Sequence, residues 1–324
     1  MSTMNYYGES QPQPSTFNSF LSGTKEFMDS NSAISNFAYI ILVVIIFVIV
    51  MQMGINIIQY IFYPKTDVRL IRGMMNASDQ AEIKQDPRLS DSTPIYRSND
   101  ERGGLEFTYS TWLYVESLPH SDQDDNDKLA HVFHKGEKKF VSKGYELNEG
   151  SSPTKIPQGM NYPNNGPGLY LRKHNNTSNE YSEVELVVVM NTYPDETNQL
   201  ETNHIVEQIS VGNIPMRNWV HVVLMVRGRN LDVYINGNIA KRHILSGVAK
   251  QNYGNIYAGS NGGFNGKLSN LTYFNEAIGT RKIYDILRLG PDLRMTNNAN
   301  LLNKNFDYLS LNWFLGGAEH STTN

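Results

Sequence analysis

Hydrophobic and polar positions divide the chain into two parts with different patterns. From Ser30 to Pro64 no residue carries a charge, and the stretch from Phe37 to Met51 is apolar throughout. A helix from Tyr39 to Tyr60 would rise about 32 Å at 1.5 Å per residue, which matches the hydrocarbon thickness of a bilayer. The pattern predicts one transmembrane helix over residues 37–63, with aromatic side chains at both ends.

A buried core helix or a cleaved signal peptide could also produce an apolar stretch of this kind. A core helix seldom holds so many consecutive β-branched residues without a polar face. A signal peptide would start near the first residue with a basic region. Here residues 1–36 come first, are rich in Ser, Asn, Gln and Pro, and contain Lys25 as their only cation. We expect little fixed structure in this polar N-terminal segment and a true span after it.

Three amides interrupt the second half of the span. Gln52, Asn56 and Gln59 follow one another at i, i+4 and i+7, so they share one helical face. They either mark the approach to the headgroups or form a contact face for another membrane helix, since amides in hydrocarbon seek partners. The sequence leaves both interpretations open.

Charges beside the span predict its orientation. Lys65, Arg69 and Arg72 follow it, whereas Lys25 alone precedes it. The positive-inside rule therefore places the C-terminal part on the cytosolic side. The chain has no cysteine, which fits a domain facing a reducing compartment. The same orientation predicts that no sequon carries a glycan; the sequons start at Asn76, Asn175, Asn176 and Asn270.

After the span the pattern changes to period-2 alternation. Residues 64–103 mix charges, Pro and Gly and are predicted to form a stalk, with a short helix near Ala81 and a boundary at Gly103–Gly104. Residues 105–115 then alternate apolar and polar positions, as a half-buried strand does. Nine further strands are predicted at Leu129–Lys135, Gly168–Arg172, Val184–Asn191, His204–Val211, Trp219–Arg227, Leu231–Ile235, Asn238–Leu245, Asn255–Gly259 and Phe264–Phe274.

About ten strands joined by polar turns predict a mainly β, two-sheet antiparallel sandwich. Asn236–Gly237 is the strongest hairpin signal, typical of a type I′ turn. One helix is predicted at Ala277–Leu289, ended by Gly290–Pro291. Residues 291–324 form a C-terminal tail with one apolar cluster at Tyr308–Leu315. The predicted sandwich domain spans 104–290.

Four sequence blocks carry a family resemblance. The strand Phe107–Leu113 resembles the opening strand of laminin-G-like and pentraxin-like domains. Residues 218–223, Asn-Trp-Val-His-Val-Val, are similar to their central strand, and Asn230–Gly237 is similar to the hairpin that follows it. Phe264–Ala277 resembles their closing strand. The resemblance implies a concanavalin A-like jelly roll over residues 104–290.

The order of span, stalk and laminin-G-like domain also resembles membrane-anchored virion proteins of large DNA viruses of algae and protists. This second resemblance implies a minor capsid protein. Its domain would lie between the virion internal membrane and the capsid shell, and its partners would be the lipid bilayer and other capsid or membrane proteins.

Catalysis is not predicted. Glycoside hydrolases on this fold need paired carboxylates at alternate strand positions, about 5.5 Å apart in retaining enzymes. The nearest match, Glu183-Val184-Glu185, lacks a third carboxylate because Val187 occupies the next same-face position. The chain also holds no phosphate loop or triad motif. No catalytic residue and no cofactor are therefore predicted.

Metal and ligand binding rest on weaker patterns. The acidic run from Asp122 to Asp127 is interpreted as a solvated loop, with a calcium site as the alternative, because it lacks the Gly and Glu of an EF-hand. His131 and His134 are expected on opposite strand faces, which is poor for shared metal ligation. Residues 161–168 are expected to form a long surface loop, whose composition fits ligand binding and plain turn-making equally well.

The remaining aromatic and histidine positions are expected to pack rather than bind. Trp112 and Trp219 are expected to fill the core between the two sheets rather than stack on sugars, and the family resemblance implies that His221, on the central strand, is a packing residue.

The net charge of −4 gives no basic footprint for nucleic acid. The first functional hypothesis is a structural protein that tethers an internal viral membrane to the capsid shell. The alternative is a lectin-like surface receptor that binds glycans.

Overall fold

The structure is a computed structural model that describes residues 33–62, 66–101, 104–119, 128–147, 154–174, 183–193 and 205–296. It divides into two compact units, one containing the N-terminal helix and one containing the β-structure. Helix α1 spans Ala33–Phe62 and confirms the predicted helix. Its stretch Asn36–Ile58 is long and apolar enough to cross a membrane, and none of it is buried within the protein.

The second unit begins at Lys65 and holds sixteen strands in its described residues. The first eight are β1 Asp67–Arg69, β2 Met74–Asn76, β3 Ala81–Ile83, β4 Asn99–Glu101, β5 Gly104–Ser117, β6 Ala130–Gly136, β7 Tyr145–Leu147 and β8 Thr154–Ile156. The other eight are β9 Gly168–His174, β10 Glu183–Thr192, β11 Ile205–Ile214, β12 Trp219–Arg227, β13 Asn230–Ile235, β14 Asn238–Ile244, β15 Asn255–Ala258 and β16 Asn265–Phe274. Helix α2 spans Thr280–Leu289.

Two antiparallel sheets form the sandwich. The first, sheet A, has the order β1-β16-β5-β12-β13-β14, with β2 also pairing β16 and β4 pairing β5. The second, sheet B, has the order β11-β10-β9-β6-β15-β3. Their inward-facing residues form one continuous apolar core, in which alternate positions of β5 and β12 are fully buried. This mainly β, jelly-roll-like sandwich confirms the predicted fold class.

The outer face of each sheet carries a cover of its own. On sheet A, α2 packs Ile283 against Val223, Tyr234 and Phe274, and residues 290–296 continue from it toward β2. We call residues 290–296 the strap. On sheet B, residues 137–147 and 154–167, here called the arm, cover a second apolar cluster that includes Tyr170 and Val187. Because of these two covers, the strands beneath them are buried on their outer face as well as on the face toward the core.

The predicted stalk is wrong for the described part of 64–103, because residues 66–101 supply strands to both sheets. Strands β1 and β2 pair with β16 and β4 pairs with β5, whereas β3 pairs with β15 of sheet B. The helix expected near Ala81 is strand β3, in which Ala81 and Ile83 are buried and Glu82 is exposed. Three-residue strands are too short for alternation to reveal, so composition alone suggested a linker.

Several predictions concern residues outside the described part of the chain. They are most of the polar segment 1–36, Lys65, the boundary residue Gly103, the acidic run at 122–127, the sequons at Asn175 and Asn176, and the cluster Tyr308–Leu315. The other two sequon asparagines lie in the sandwich, Asn76 on β2 and Asn270 on β16.

Candidate functional site

A groove of about 450 Å³ opens at one end of the sandwich. Four segments contribute described residues to it: β4 with the start of β5, the end of β10, the β12–β13 turn and the loop that follows β14. The described lining residues are Asp100, Gly104, Leu105, Tyr193, Gly228, Arg229, Val248, Ala249 and Gln251. The volume lies in the range of small-molecule sites.

Tyr193 is the aromatic residue of the groove, and its side chain is half exposed. Its backbone is fixed because its N–H donates to Val248 O at 2.9 Å, and the neighbouring Lys250 N–H donates to Asn191 O at 2.7 Å. Gly247 lies so close to Tyr193 O that a Cβ atom there would be only 1.8 Å away. The loop after β14 therefore holds Tyr193 at the mouth of the groove. Lys250 Nζ lies 5.6 Å from the centre of the Tyr193 ring.

Polar groups of both charges surround the tyrosine. The Arg229 guanidinium donates to Leu245 O at 2.9 Å and to Ser246 O at 2.7 Å, which fixes its position beside the groove. Asp100 and the side chain of Gln251 are exposed along other parts of the lining. Gln251 Nε2 donates to Ser98 Oγ. Among its described lining residues, the groove thus combines one aromatic ring with an acid, an amide and a guanidinium.

The expectation that His131 and His134 occupy opposite faces is wrong. The pairing of β6 with β9 shifts register between His131 and Phe133, so the strand has a bulge that brings both rings to the outer face. His131 Nε2 lies 2.7 Å from His134 Nδ1. The ring of Phe140, from the arm, packs edge-on against both imidazoles at 5.1 and 5.5 Å.

Neighbouring groups decide the tautomer of each imidazole. The Ser260 N–H donates to His131 Nδ1 at 3.0 Å, so the proton of His131 is on Nε2 and points to His134. His134 Nε2 faces Glu137 O at 3.1 Å and must donate to it. Both rings are therefore neutral in this arrangement. Burial lowers the pKa of His131 well below its usual value and that of His134 to about 4.

Other predicted residues have structural partners. Glu185 accepts two hydrogen bonds from the Arg172 guanidinium, at 2.9 and 2.7 Å.

Trp112 is buried on the outer face of sheet A, where its ring lies 4.9 Å from that of His221, while Trp219 on the same face is half-buried. The expectation that the tryptophans fill the core between the sheets is therefore wrong. Side chains alternate between the two faces of β5, so Leu113 and Val115 point into the core and Trp112 points outward.

The tract 161–168 is not the surface loop that its turn-rich composition predicted. Asn161 and Asn165 are fully buried. The Asn161 N–H donates to Tyr170 Oη at 3.1 Å, the Tyr170 hydroxyl donates to Asn165 Oδ1 at 2.6 Å, and the Asn165 N–H donates to Asn191 Oδ1 at 2.6 Å. These asparagines anchor the arm to sheet B because their side chains replace missing backbone partners.

The membrane-related residues lie on separate elements. Gln52 and Asn56 are exposed on α1, and the side chain of Gln59 is outside the described part. Arg69 is on β1, where it pairs with Thr272 of β16, and Arg72 follows as an exposed residue. Within the described residues no group of three His, Asp or Glu side chains is arranged to hold a metal ion.

The groove is the feature that sequence patterns missed. Its lining comes from four turns far apart in the chain, and no spacing rule joins Asp100 to Tyr193 or Arg229. The one sequence signal that pointed to this part of the groove was the family-like hairpin at β12–β13, whose turn contributes Gly228 and Arg229.

A comparison with protein families matches residues 91–283 to the laminin-G family described as the concanavalin A-like lectin/glucanases superfamily. No curated protein matches the sequence. Among solved structures, the chain is similar to the heptameric SAP-like pentraxin from Limulus polyphemus, with 12% identity, 59% of this chain and 74% of that chain covered, and a TM-score of 0.33.

Two neurotoxin domains are also similar. The botulinum neurotoxin serotype G binding domain has 9% identity, 70% and 47% coverage of the two chains and a TM-score of 0.36. The binding domain of botulinum neurotoxin DC in complex with rat synaptotagmin II has 11% identity, 57% and 35% coverage and a TM-score of 0.33. The chain spans less than half the length of these two structures.

Proposed function

The chain belongs to the laminin-G family of the concanavalin A-like lectin/glucanases superfamily, and from this premise we propose that it is a membrane-anchored binding protein without catalytic activity. In this function α1 fixes the chain in a bilayer, and the sandwich attaches a second molecule to that membrane. The groove around Tyr193 is the site at which it binds.

The composition of the groove is the observation that carries the proposal. Glycoside hydrolysis needs two carboxylates beside the scissile bond. Among the described lining residues Asp100 is the sole carboxylate, and Glu185 on sheet B is neutralised by Arg172. What remains is an aromatic ring among hydrogen-bonding groups, which suits recognition rather than bond cleavage.

A carbohydrate is the ligand class that fits this lining best. The half-exposed ring of Tyr193 offers an apolar face to the C–H face of a sugar, while Asp100 and Gln251 offer an acceptor and an amide to its hydroxyls. Arg229 adds a donor that would suit an acidic sugar. This is the lectin-like alternative raised by the sequence, and the groove now favours it.

Replacement of Tyr193 by alanine is expected to weaken glycan binding by about tenfold, or roughly 1.4 kcal/mol, because the stacking surface is lost. The measurement screens the full chain in detergent on an array of immobilised glycans, then titrates the best glycan by calorimetry. Tyr253→Ala is the matched control, because Tyr253 is a fully exposed tyrosine nearby and outside the groove lining. Equal affinities of the two variants, or no bound glycan, would contradict the carbohydrate assignment.

The second candidate is the tether between a viral internal membrane and its capsid shell, as a minor capsid protein. It is favoured by the cations that follow α1, including Arg69 and Arg72, and by the lack of cysteine, which together support a cytosolic-side sandwich. If the chain is a tether, the sandwich binds a capsid shell protein instead of a glycan.

Chemical cross-linking of purified particles, followed by mass spectrometry, separates the two candidates. A tether predicts cross-links between the sandwich and shell proteins, with α1 remaining in the membrane fraction after detergent stripping. It also predicts unmodified asparagines at Asn76 and Asn270. Release of the sandwich from intact particles by added protease, or a glycan on either asparagine, would exclude the tether and favour an outward-facing lectin.

A further inference from the structure

Large apolar side chains project into solvent from α2 and the strap. Leu289 is 85% exposed, Leu293 60%, Tyr284 53% and Met295 52%. Ile283 is buried against sheet A and Ile286 and Leu287 are partly buried beside it, whereas Tyr284 and Leu289 stay exposed on the flanks of a mostly charged outer side. Several such side chains on one surface are typical of an interaction site.

Basic side chains stand among these apolar ones. Arg281, Lys282 and Arg288 are exposed on α2, and Arg294 is exposed on the strap. The acids of the two segments are Asp285, which is exposed on α2, and Asp292, which pairs with Arg294 at 2.6 Å. This surface is therefore cationic in a chain whose net charge is −4.

Contacts join this surface to strands β16 and β2 of sheet A. Ser269 Oγ of β16 donates to Asp292 O at 2.8 Å, and the Met74 N–H of β2 donates to Arg294 O at 2.8 Å. The hydrogen bond from Arg294 lowers the pKa of Asp292, and the charge of Arg69 adds a smaller effect in the same direction. Arg69 on β1 thus belongs to the same surface, and β1 is the first strand after α1 in the chain.

We propose that the outer surface of α2 and the strap, extended by Arg69, is a docking surface for an anionic lipid bilayer. Its basic groups suit lipid headgroups, and Tyr284, Leu289 and Leu293 suit the interface between headgroups and acyl chains. Membrane docking is independent of the ligand in the groove. The proposal gives α2 a binding role in addition to its role as the cover of sheet A.

The test uses the full chain in nanodiscs of phosphatidylcholine, with or without phosphatidylserine. Because the chain has no cysteine, Leu293→Cys provides a unique attachment point for an environment-sensitive fluorophore. Docking predicts blue-shifted emission, and quenching by spin-labelled lipid, in the anionic discs. A label at Lys138→Cys on the arm, which covers the other sheet, should respond equally in both disc types.

Charge reversal gives the decisive comparison. Each basic residue near an anionic surface contributes roughly fivefold to binding, so reversal of Arg281, Lys282 and Arg288 to Glu should weaken docking by at least about 100-fold. Reversal of the exposed Lys138, Lys139 and Lys143 changes the net charge equally and should leave the Leu293→Cys signal unchanged.

Three results would overturn the proposal. The first is an identical Leu293→Cys signal in the two disc types. The second is an equal response of the two charge-reversed variants. The third is a label already shielded in detergent, which would mean that another part of the chain covers this surface.

Discussion

Acidification from about pH 7 to about pH 5 is expected to lower the free energy of unfolding of the sandwich by at least about 4 kcal/mol. Three buried histidines cause the loss. Burial lowers the pKa of His134 and of His221 to about 4, and that of His131 well below its usual value. Below pH 6.5 the unfolded chain binds protons that the folded chain does not, so stability falls as the pH approaches 4. His134 and His221 each contribute roughly 2 kcal/mol of the loss at pH 5, and His131 adds to it in the same direction.

The hydrogen bonds explain why the folded state resists protonation. Both nitrogens of His131 and His134 are already used, in a chain that runs from the Ser260 N–H through both rings to Glu137 O. A further proton on either ring would set two N–H groups against each other. His221 contacts Ser110 Oγ at 2.8 Å through Nε2, and its buried Nδ1 has no hydrogen-bond partner among the described residues.

Urea unfolding of the full chain in detergent, followed at several pH values, measures this effect. The slope of stability against pH should approach three protons between pH 6 and pH 5. His134→Phe keeps an aromatic ring, somewhat larger than the imidazole, that binds no proton, so its slope should fall by about one proton even though its stability at pH 7 is also lower. A slope that is flat in the original chain, or unchanged in the variant, would contradict the assignment.

Long strands were predictable from the sequence because their alternation or their continuous apolar runs are strong signals. The predicted Trp219–Arg227 coincides with β12, and the Asn236–Gly237 turn lies between β13 and β14, where Asn236 has a φ of 50° and Gly237 one of 81°. The amide of Asn236 also accepts the His221 N–H at 2.9 Å. Local turn chemistry and the apolar run of β12 agree here, so both were visible without a structure.

Features that depend on distant contacts were not predictable. Strands β1–β4 have too few residues to show a period, and their pairing partners lie as far away as β15 and β16. The bulge in β6 places His131 and His134 on the same face, although they were expected on opposite faces, and a bulge has no spacing signature. The groove forms from four turns, so neither its aromatic residue nor its guanidinium could be assigned from local sequence.

Replacement of Glu207 by alanine is expected to lower the free energy of unfolding by about 3 kcal/mol. Glu207 Oε1 accepts hydrogen bonds from Thr192 Oγ1 at 2.9 Å, from the Ser246 N–H at 3.0 Å and from Ser246 Oγ at 2.8 Å. Its Oε2 lies 3.0 Å from His243 Nε2. Glu207 is on β11 of sheet B and His243 is on β14 of sheet A, so one carboxylate joins the two sheets and the loop after β14.

Urea unfolding of the full chain compares this variant with Glu116→Ala, which removes an exposed glutamate from β5 and should change stability by less than about 0.5 kcal/mol. Glu207→Gln should fall between them, because its amide nitrogen would face donors. The same carboxylate fixes Ser246, beside the Gly247 that contacts Tyr193 O, so Glu207→Ala should also weaken ligand binding in the groove. Equal stabilities of Glu207→Ala and Glu116→Ala would show that the sheets are held together without this residue.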